Sequence, residues 1–401
     1  MDSTLMLNKV LNLDKTSWKL TKVGDLAKDI SKRVDNPGES EYDRFVGLGN
    51  FVSGDIKIKT WETTENLASS TKAFKAGDIL FARRNAYLRR ASLVDFDGCC
   101  SGDAFVLREN HDKIVPGFLA FLMNSNALWD YANSNAAGTM SKRVKWRDLA
   151  EYKFLLPPKD QQAQLSKLLW AMDEVIEKEY KCKEKYELFY KRFLFDAVSG
   201  KLSKDFKTWE EHLFGSLGES FGGLNGKTKK DFGEGSPFVN YMNVFSNSKV
   251  DSSKVDYVKI NEGEKQNELK YGDILITGSS ETPEDLGMSS VVLENLEGYF
   301  LNSFCFGFRL NDFETLLPEY ARFLMRGEHV RKFMFKRAQG STRFNLSKTT
   351  VREKMKILLP KVSEQKEIAD KLEFMENNIS SFESKIAASK ALQKIIVNQI
   401  F

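Results

Sequence analysis

Two glycine-led loops hold the side chains best suited to chemistry in this chain. Gly138-Thr139-Met140-Ser141-Lys142-Arg143 and Gly340-Ser341-Thr342-Arg343-Phe344-Asn345 each join a flexible glycine to hydroxyls and an arginine. Hydroxyls bond phosphate oxygens, and the planar arginine fork fits a phosphate or the O6/N7 edge of guanine. The implied chemistry is contact with nucleic acid, not bond breaking. A second set follows a strand-like run: "FARRNAYLRR" presents Arg83, Arg84, Asn85, Tyr87 and Arg89, and its counterpart "ITGSSETPED", with Ser279, is acidic. Asn50 and Asn243, with Asn240 and Tyr241, close another matched strand, and Asn pairs bidentately with adenine. Lys227, Thr228, Lys229 and Lys230 form a lysine-rich loop suited to a DNA backbone. The DNA-contact candidates are therefore Asn50, Arg83, Arg84, Asn85, Tyr87, Arg89, Thr139, Ser141, Lys142, Arg143, Lys227, Thr228, Lys229, Lys230, Asn240, Tyr241, Asn243, Ser279, Ser341, Thr342, Arg343 and Asn345. For any one of them a structural or solvated role stands beside base contact.

Enzymatic patterns each lack a part. Gly226-Lys227-Thr228 ends like a phosphate-binding loop, but Phe221 stands where the pattern needs its first glycine and the following residues are not helical in character. Glu151-Tyr152-Lys153 offers a nuclease-like fragment, yet the matching place in the second half carries Lys354 and Lys356. Histidines occur only at 111, 212 and 329, which leaves no Ser-His-Asp grouping, and the four cysteines match neither a disulfide framework nor a CxxC metal pattern. Neither catalytic nor metal-binding residues are expected.

The elements that must position these loops occur twice. Phe45-Val46 matches Phe238-Val239, the "GDIL" of 77–80 matches that of 272–275, and "FLM" recurs at 121–123 and 323–325. Gly138 answers Gly340 and "LLP" at 155–157 answers 358–360, the offset drifting from 191 at the Trp18/Trp209 pair to 203 at the prolines. A duplicated unit behaves this way when only its loops gain residues. Each copy reads as short strands such as "DRFVGLGNF", "GDILFARR", "SPFVNYMNVF" and "CFGFRL", then one helical stretch introduced by Pro116 or Pro318.

After each "LLP" comes a long helix. Apolar steps of three and four run through Leu165, Leu168, Met172, Val175, Tyr186, Phe189 and Phe193, and through Ile368, Leu372, Met375, Ile379, Phe382 and Ile386. These residues are read as a heptad seam, a partner interface, and the two helices as an antiparallel coiled coil. Over 160–196 the rise of about 1.5 Å per residue gives roughly 55 Å, near ~16 base-pair steps. The expected fold class is α+β: two duplicated mixed α/β domains separated by an antiparallel coiled coil. The expected boundaries are 1–157, a first helix over 158–202, 203–360, and a second helix over 361–401.

At 401 residues and 29% charged, the chain exceeds one core and has a soluble composition, with no apolar run near the ~20 residues a membrane span needs. A cytoplasmic location without membrane contact is expected. The net charge of +4 does not announce a nucleic-acid binder by itself; any single Arg/Lys cluster reads equally as solvated surface charge, a reading that clusters at matching repeat positions, around Gly138 and Gly340, weaken.

The whole arrangement from Trp18 onward resembles the specificity subunit of type I restriction-modification systems. The resemblance rests on the paired "GDIL" turns, on Pro157-Gln161-Leu165 and Pro360-Gln365-Ile368 leading into the helices, on Phe189-Tyr190-Lys191 to Gly200-Lys201-Leu202, and on "GLNGKTKKDFGEGSPFVNYMNVF". Gly47-Leu48-Gly49-Asn50 departs from the second copy's Asn240-Tyr241-Met242-Asn243, which leaves the contacts of the first half harder to place. The resemblance implies two domains that each read half of a bipartite double-stranded DNA target, with no catalytic residues. It also implies recruitment of two adenine methyltransferase subunits and of restriction subunits, with S-adenosylmethionine and ATP bound by those partners and no cofactor on this chain. A stand-alone DNA-modifying enzyme and a coiled-coil scaffold are the alternatives.

Overall fold

The computed structural model describes residues 11–401, so the first ten residues of the expected 1–157 domain lie outside it. The chain divides into two compact units: one runs to Cys182 and takes up Phe382–Phe401, the other is Lys183–Ser381. Both are α+β, and each contains part of both long helices, Lys159–Val198 and Val362–Ile400. No helix among the described residues is long and apolar enough to cross a membrane.

The central sheet of the first unit orders its strands Ala27–Asp29, Ala104–Glu109, Ile79–Ala82, Ala91–Leu93. That of the second orders Gly218–Gly222, Cys305–Leu310, Ile274–Thr277, Ser289–Val291. The duplication is therefore a duplication of topology, and it extends to details. Val46 pairs in parallel with Cys100, as Val239 does with Leu301. Lys19–Lys22 pairs antiparallel with Lys153–Leu156, as Glu210–Leu213 does with Lys356–Leu359. Asp78 and Asp273, from the two "GDIL" turns, are buried and held by Arg108 and Arg309 through two hydrogen bonds each. A buried carboxylate persists only with such charge-assisted partners.

Three expectations about the helices and strands change. The single helical stretch of each copy is two helices, Phe118–Leu122 then Asn126–Ser134, and Pro318–Leu324 then Glu328–Lys336. Ser125 breaks the first by capping Leu128 N, and Gly327 breaks the second where a Cβ would meet Val198 at 2.9 Å. The strands expected to end at Asn50 and Asn243 stop earlier, at Val46 and Val239, and give way to a 3₁₀ turn, Leu48–Asn50, and a helix, Tyr241–Ser246. The seam of the first helix is also displaced: Leu165, Leu169 and Ile176 are buried, while Leu168, Val175 and Phe189 stand 37%, 51% and 58% exposed. The second helix keeps its stripe better, with Leu372, Met375 and Ile386 buried and Ile368, Ile379 and Phe382 half-buried.

Within each unit the two helices run antiparallel. In the first, Gln393 Nε2 donates to Leu169 O, and Lys390 lies over the Tyr180 ring. In the second, Tyr190 Oη donates to Glu376 Oε1 at 2.7 Å and Asn378 Nδ2 to Tyr186 Oη at 2.9 Å. Each helix is also tied to its domain by one buried glutamine. Gln162 Nε2 donates to Pro157 O and its Oε1 accepts from Val115 N, and Gln365 does the same with Pro360 O and Leu317 N. The structural twin of Gln365 is thus Gln162, not the Gln161 expected; Gln161 instead accepts from Trp18 Nε1.

Candidate nucleic-acid interface

The strand Ile79–Ala82 delivers Arg83, Arg84 and Asn85 to its end, and the Gly138 loop returns beside them. Three backbone bonds weld the segments: Arg83 N to Asp103 O, Val144 N to Arg83 O, and Asn85 N to Lys142 O. Ala137 and Arg143 bond each other across the loop that Gly138, at φ +123°, allows to turn. The side chains then converge. Arg143 reaches Asp103 with Nε at 2.8 Å and a terminal nitrogen at 3.2 Å, while Arg84 donates to Ser141 Oγ and lies 3.7 Å from Asp103. Arg83 lies over the Phe105 ring at 5.4 Å. Hydrogen bonding from Arg143 holds the Asp103 carboxyl below its ordinary value, so it stays charged beside the arginines.

The backbone beyond is strained. Asn85 and Arg89 flank the 3₁₀ turn Ala86–Leu88 in left-handed conformation, at φ +54° and +50°. Such positions cost of order 1–3 kcal/mol and cluster at functional surfaces. The turn they hold presents Tyr87, 68% exposed. Arg89 is occupied by Asn126 and Asp130, so its guanidinium is anchored to a helix. Thr139 and Lys142 are exposed at the loop surface, and Asn50 has its side chain accepting from Gly47 N.

The second unit builds the same frame with other side chains. Gly278 N bonds Phe304 O, Leu346 N bonds Gly278 O, and Gln339 and Asn345 bond each other. Gly340, at φ +128°, turns the loop as Gly138 does. The matched positions are therefore Arg84 with Ser279, Asp103 with Phe304, and Arg143 with Asn345. Ser279 and Ser280 pair with Asn345 and Phe344 in a two-stranded ladder. Arg343 lies over Phe304 at 4.8 Å, and Ser341, Thr342, Arg343 and Asn345 are exposed. Beside them is a cleft of about 410 Å³ lined by Gly222, Asn225, Ser279, Phe304, Asn345 and Lys348, among others. Ser279 is 6% exposed and its hydroxyl has no hydrogen-bond partner among the described residues.

Other candidates are structural. Asn243 is 3% exposed; its amide donates to Asp251 O and Lys254 O, which removes it from any DNA surface. Asn240 caps the helix by accepting from Asn243 N and donates to Asp256, and Tyr241 donates to Ser279 O. The Lys227 side chain is tied down within the fold: its ammonium bonds Lys259 O and Glu264, and the bond to Glu264 is the largest influence holding that carboxyl down to about 2. Thr228 pairs with Asp231, which leaves Lys229 and Lys230 as the exposed lysines of this loop. Asp103 and Phe304 escaped the reading of the sequence. Their signal was the 201-residue offset they share with the strands they precede, Ala104–Glu109 and Cys305–Leu310.

The chain's relatives agree with this duplicated frame. The Type I restriction modification DNA specificity domain matches it twice, at residues 15–187 and 207–389. The chain is 24% identical over 177 residues to the type I restriction enzyme EcoDI specificity subunit of Escherichia coli, a match covering 43% of this chain and 39% of that protein. It is 25% identical over 169 residues to the HindI specificity subunit of Haemophilus influenzae, covering 40% of this chain and 36% of that one. These matches span well under half the length of either relative. Among solved structures, a chain from a study of assembly and conformational transition in a type I R-M system aligns over 97% of this chain and 98% of its own, with TM-score 0.63 and 20% identity. The S subunit of a type I restriction-modification system from M. genitalium aligns over 98% of both chains, with TM-score 0.54 and 13% identity. The HsdS subunit from Thermoanaerobacter tengcongensis aligns over 99% of both, with TM-score 0.50 and 21% identity. With both repeats matched along most of its length, the chain belongs to the type I restriction-modification DNA specificity family and carries two copies of the family's domain.

Proposed function

We propose that this chain is the DNA-recognition subunit of a type I restriction-modification assembly, each of its two units reading one half of a two-part duplex target. One observation carries this reading: the same loop-on-strand frame occurs twice with different side chains, Arg84, Asp103 and Arg143 in one copy and Ser279, Phe304 and Asn345 in the other. A shared scaffold with divergent tips is how one fold reads two sequences. In this reading the chain is non-catalytic and cytoplasmic and binds no cofactor of its own. Two methyltransferase subunits, with S-adenosylmethionine, and ATP-dependent restriction subunits supply the chemistry. The outward apolar residues of the first long helix, Leu168, Val175 and Phe189, would then serve partner docking.

The test is selection from a random duplex library by the chain assembled with its methyltransferase subunits. Enrichment of two short blocks separated by an unread gap is expected. Enrichment of one contiguous block, or none, would refute the reading.

A further inference from the structure

The matched positions differ in a way that has a chemical meaning. A guanidinium carries five N–H groups in a rigid fork. Asp103 takes Arg143 from the side, through Nε and one terminal nitrogen, which leaves the end of the fork open and fixed in direction. Arg143 is 41% exposed, so that end faces an approachable surface. A fork held this way offers two parallel donors, the complement of guanine O6 and N7. It offers nothing to the donor on adenine N6.

Asn345 occupies the same place in the second frame. Its side-chain amide has no hydrogen-bond partner among the described residues, and it lies on the cleft that Phe304 and Lys348 also line. An exposed amide presents one donor and one acceptor side by side, which matches N7 and N6–H of adenine. Lys348 on the cleft adds a cation suited to the phosphate beside the base.

We infer that these two positions determine specificity: Arg143, positioned by Asp103, reads a guanine in one half of the target, and Asn345 reads an adenine in the other. The inference rests on the proposed function and goes further by naming the residue and base in each half.

Duplex selection with the assembled complex tests it, comparing wild type with Arg143→Lys, Arg143→Gln, Asp103→Asn and Asn345→Ala. Arg143→Lys keeps the charge and loses the fork. Both Arg143 variants should lose guanine preference at one position of one half by on the order of 10- to 100-fold, with the other half unchanged. Asp103→Asn should weaken preference at that same position while leaving the salt dependence of binding as in wild type, a split that a merely structural role would not give. Asn345→Ala should relax one adenine in the opposite half only. If wild type selects a two-part site but the variants keep its full pattern, or lose preference equally at every position, this assignment is overturned while the proposed function stands. If wild type selects no two-part site, the proposed function fails and the assignment with it.

Discussion

Asp103 receives two hydrogen bonds from Arg143 and lies 3.7 Å from Arg84, so one carboxylate orients the arginines of two loops that are far apart in sequence. Its pKa is lowered, first by hydrogen bonding from Arg143 and against the opposing effect of burial. The sign follows: a depressed folded value means that the stabilisation is present above the unfolded value, near about 3.9, and is lost as pH falls through the folded one. Carbon-13 chemical shifts of the Asp103 carboxyl should titrate below about 3.9, and DNA binding by this unit should be flat between about pH 5 and 8 in the part that Asp103 controls. A carboxyl titrating at or above the ordinary value would contradict the pairing.

The second unit holds its long helices through a buried arginine. Arg322 is 2% exposed and reaches Glu376 at 3.0 Å, while Tyr190 donates to the same carboxylate. Removing this acid leaves the buried guanidinium only the longer contact to Glu373 at 3.8 Å, so the change costs up to about 3–5 kcal/mol, the cost of breaking a buried pair. Glu376→Gln should therefore lower the urea midpoint of the second unit far more than Tyr190→Phe, which removes one hydrogen bond worth about 1 kcal/mol. Equal effects would rule out Arg322 as the cause.

Gln162 and Gln365 hold equivalent backbone groups in the two repeats, both nearly fully buried. Gln162→Leu strands the Val115 N–H and the Pro157 carbonyl, Gln365→Leu the Leu317 N–H and the carbonyls of Pro360 and Thr315, and each should destabilise the chain by roughly 1–3 kcal/mol per orphaned group. Gln161→Leu, losing only the bond from the Trp18 indole, should cost less. Denaturant unfolding of the three variants ranks them.

Thiol reactivity checks the cores. Cys100 and Cys305 are buried, with burial pushing both thiols up to about 12; Cys99 is also buried and raised, and Cys182 is exposed. A maleimide at neutral pH should label Cys182 alone in the native chain and all four cysteines after denaturation.

Salt dependence separates the lysines of the 226–231 loop. Lys229 and Lys230 are exposed, whereas Lys227 is tied to Glu264 and Lys259. If the loop lies against phosphates, replacing Lys229 and Lys230 by Ala should lower the slope of log K against log salt by about 1 for each phosphate that is no longer neutralised. Lys227→Ala should leave that slope in place and act on stability.

The duplication was legible because matched turns and strands keep their order while loops drift, and the paired "GDIL" and "LLP" landmarks fell at equivalent places in both units. The face of the first long helix was not. Leu168-Leu169 and Val175-Ile176 place apolar side chains on two adjacent stripes, and a three-four alternation threads either one; only packing selects Leu169 and Ile176. The candidate loops were legible from glycine, hydroxyl and arginine composition, but not their orienting partners. Asp103 and Phe304 lie far from those loops in sequence and reach them only through the sheet. Asn243 misled because the amide that could read adenine is spent on the backbone carbonyls of Asp251 and Lys254.

The most direct test of the central claim is a genome-wide map of methylated adenine in cells that carry this chain with its methyltransferase, against cells lacking only this chain. The account predicts a two-part motif with an unread gap that disappears on deletion. A methylation pattern unchanged by the deletion would contradict it.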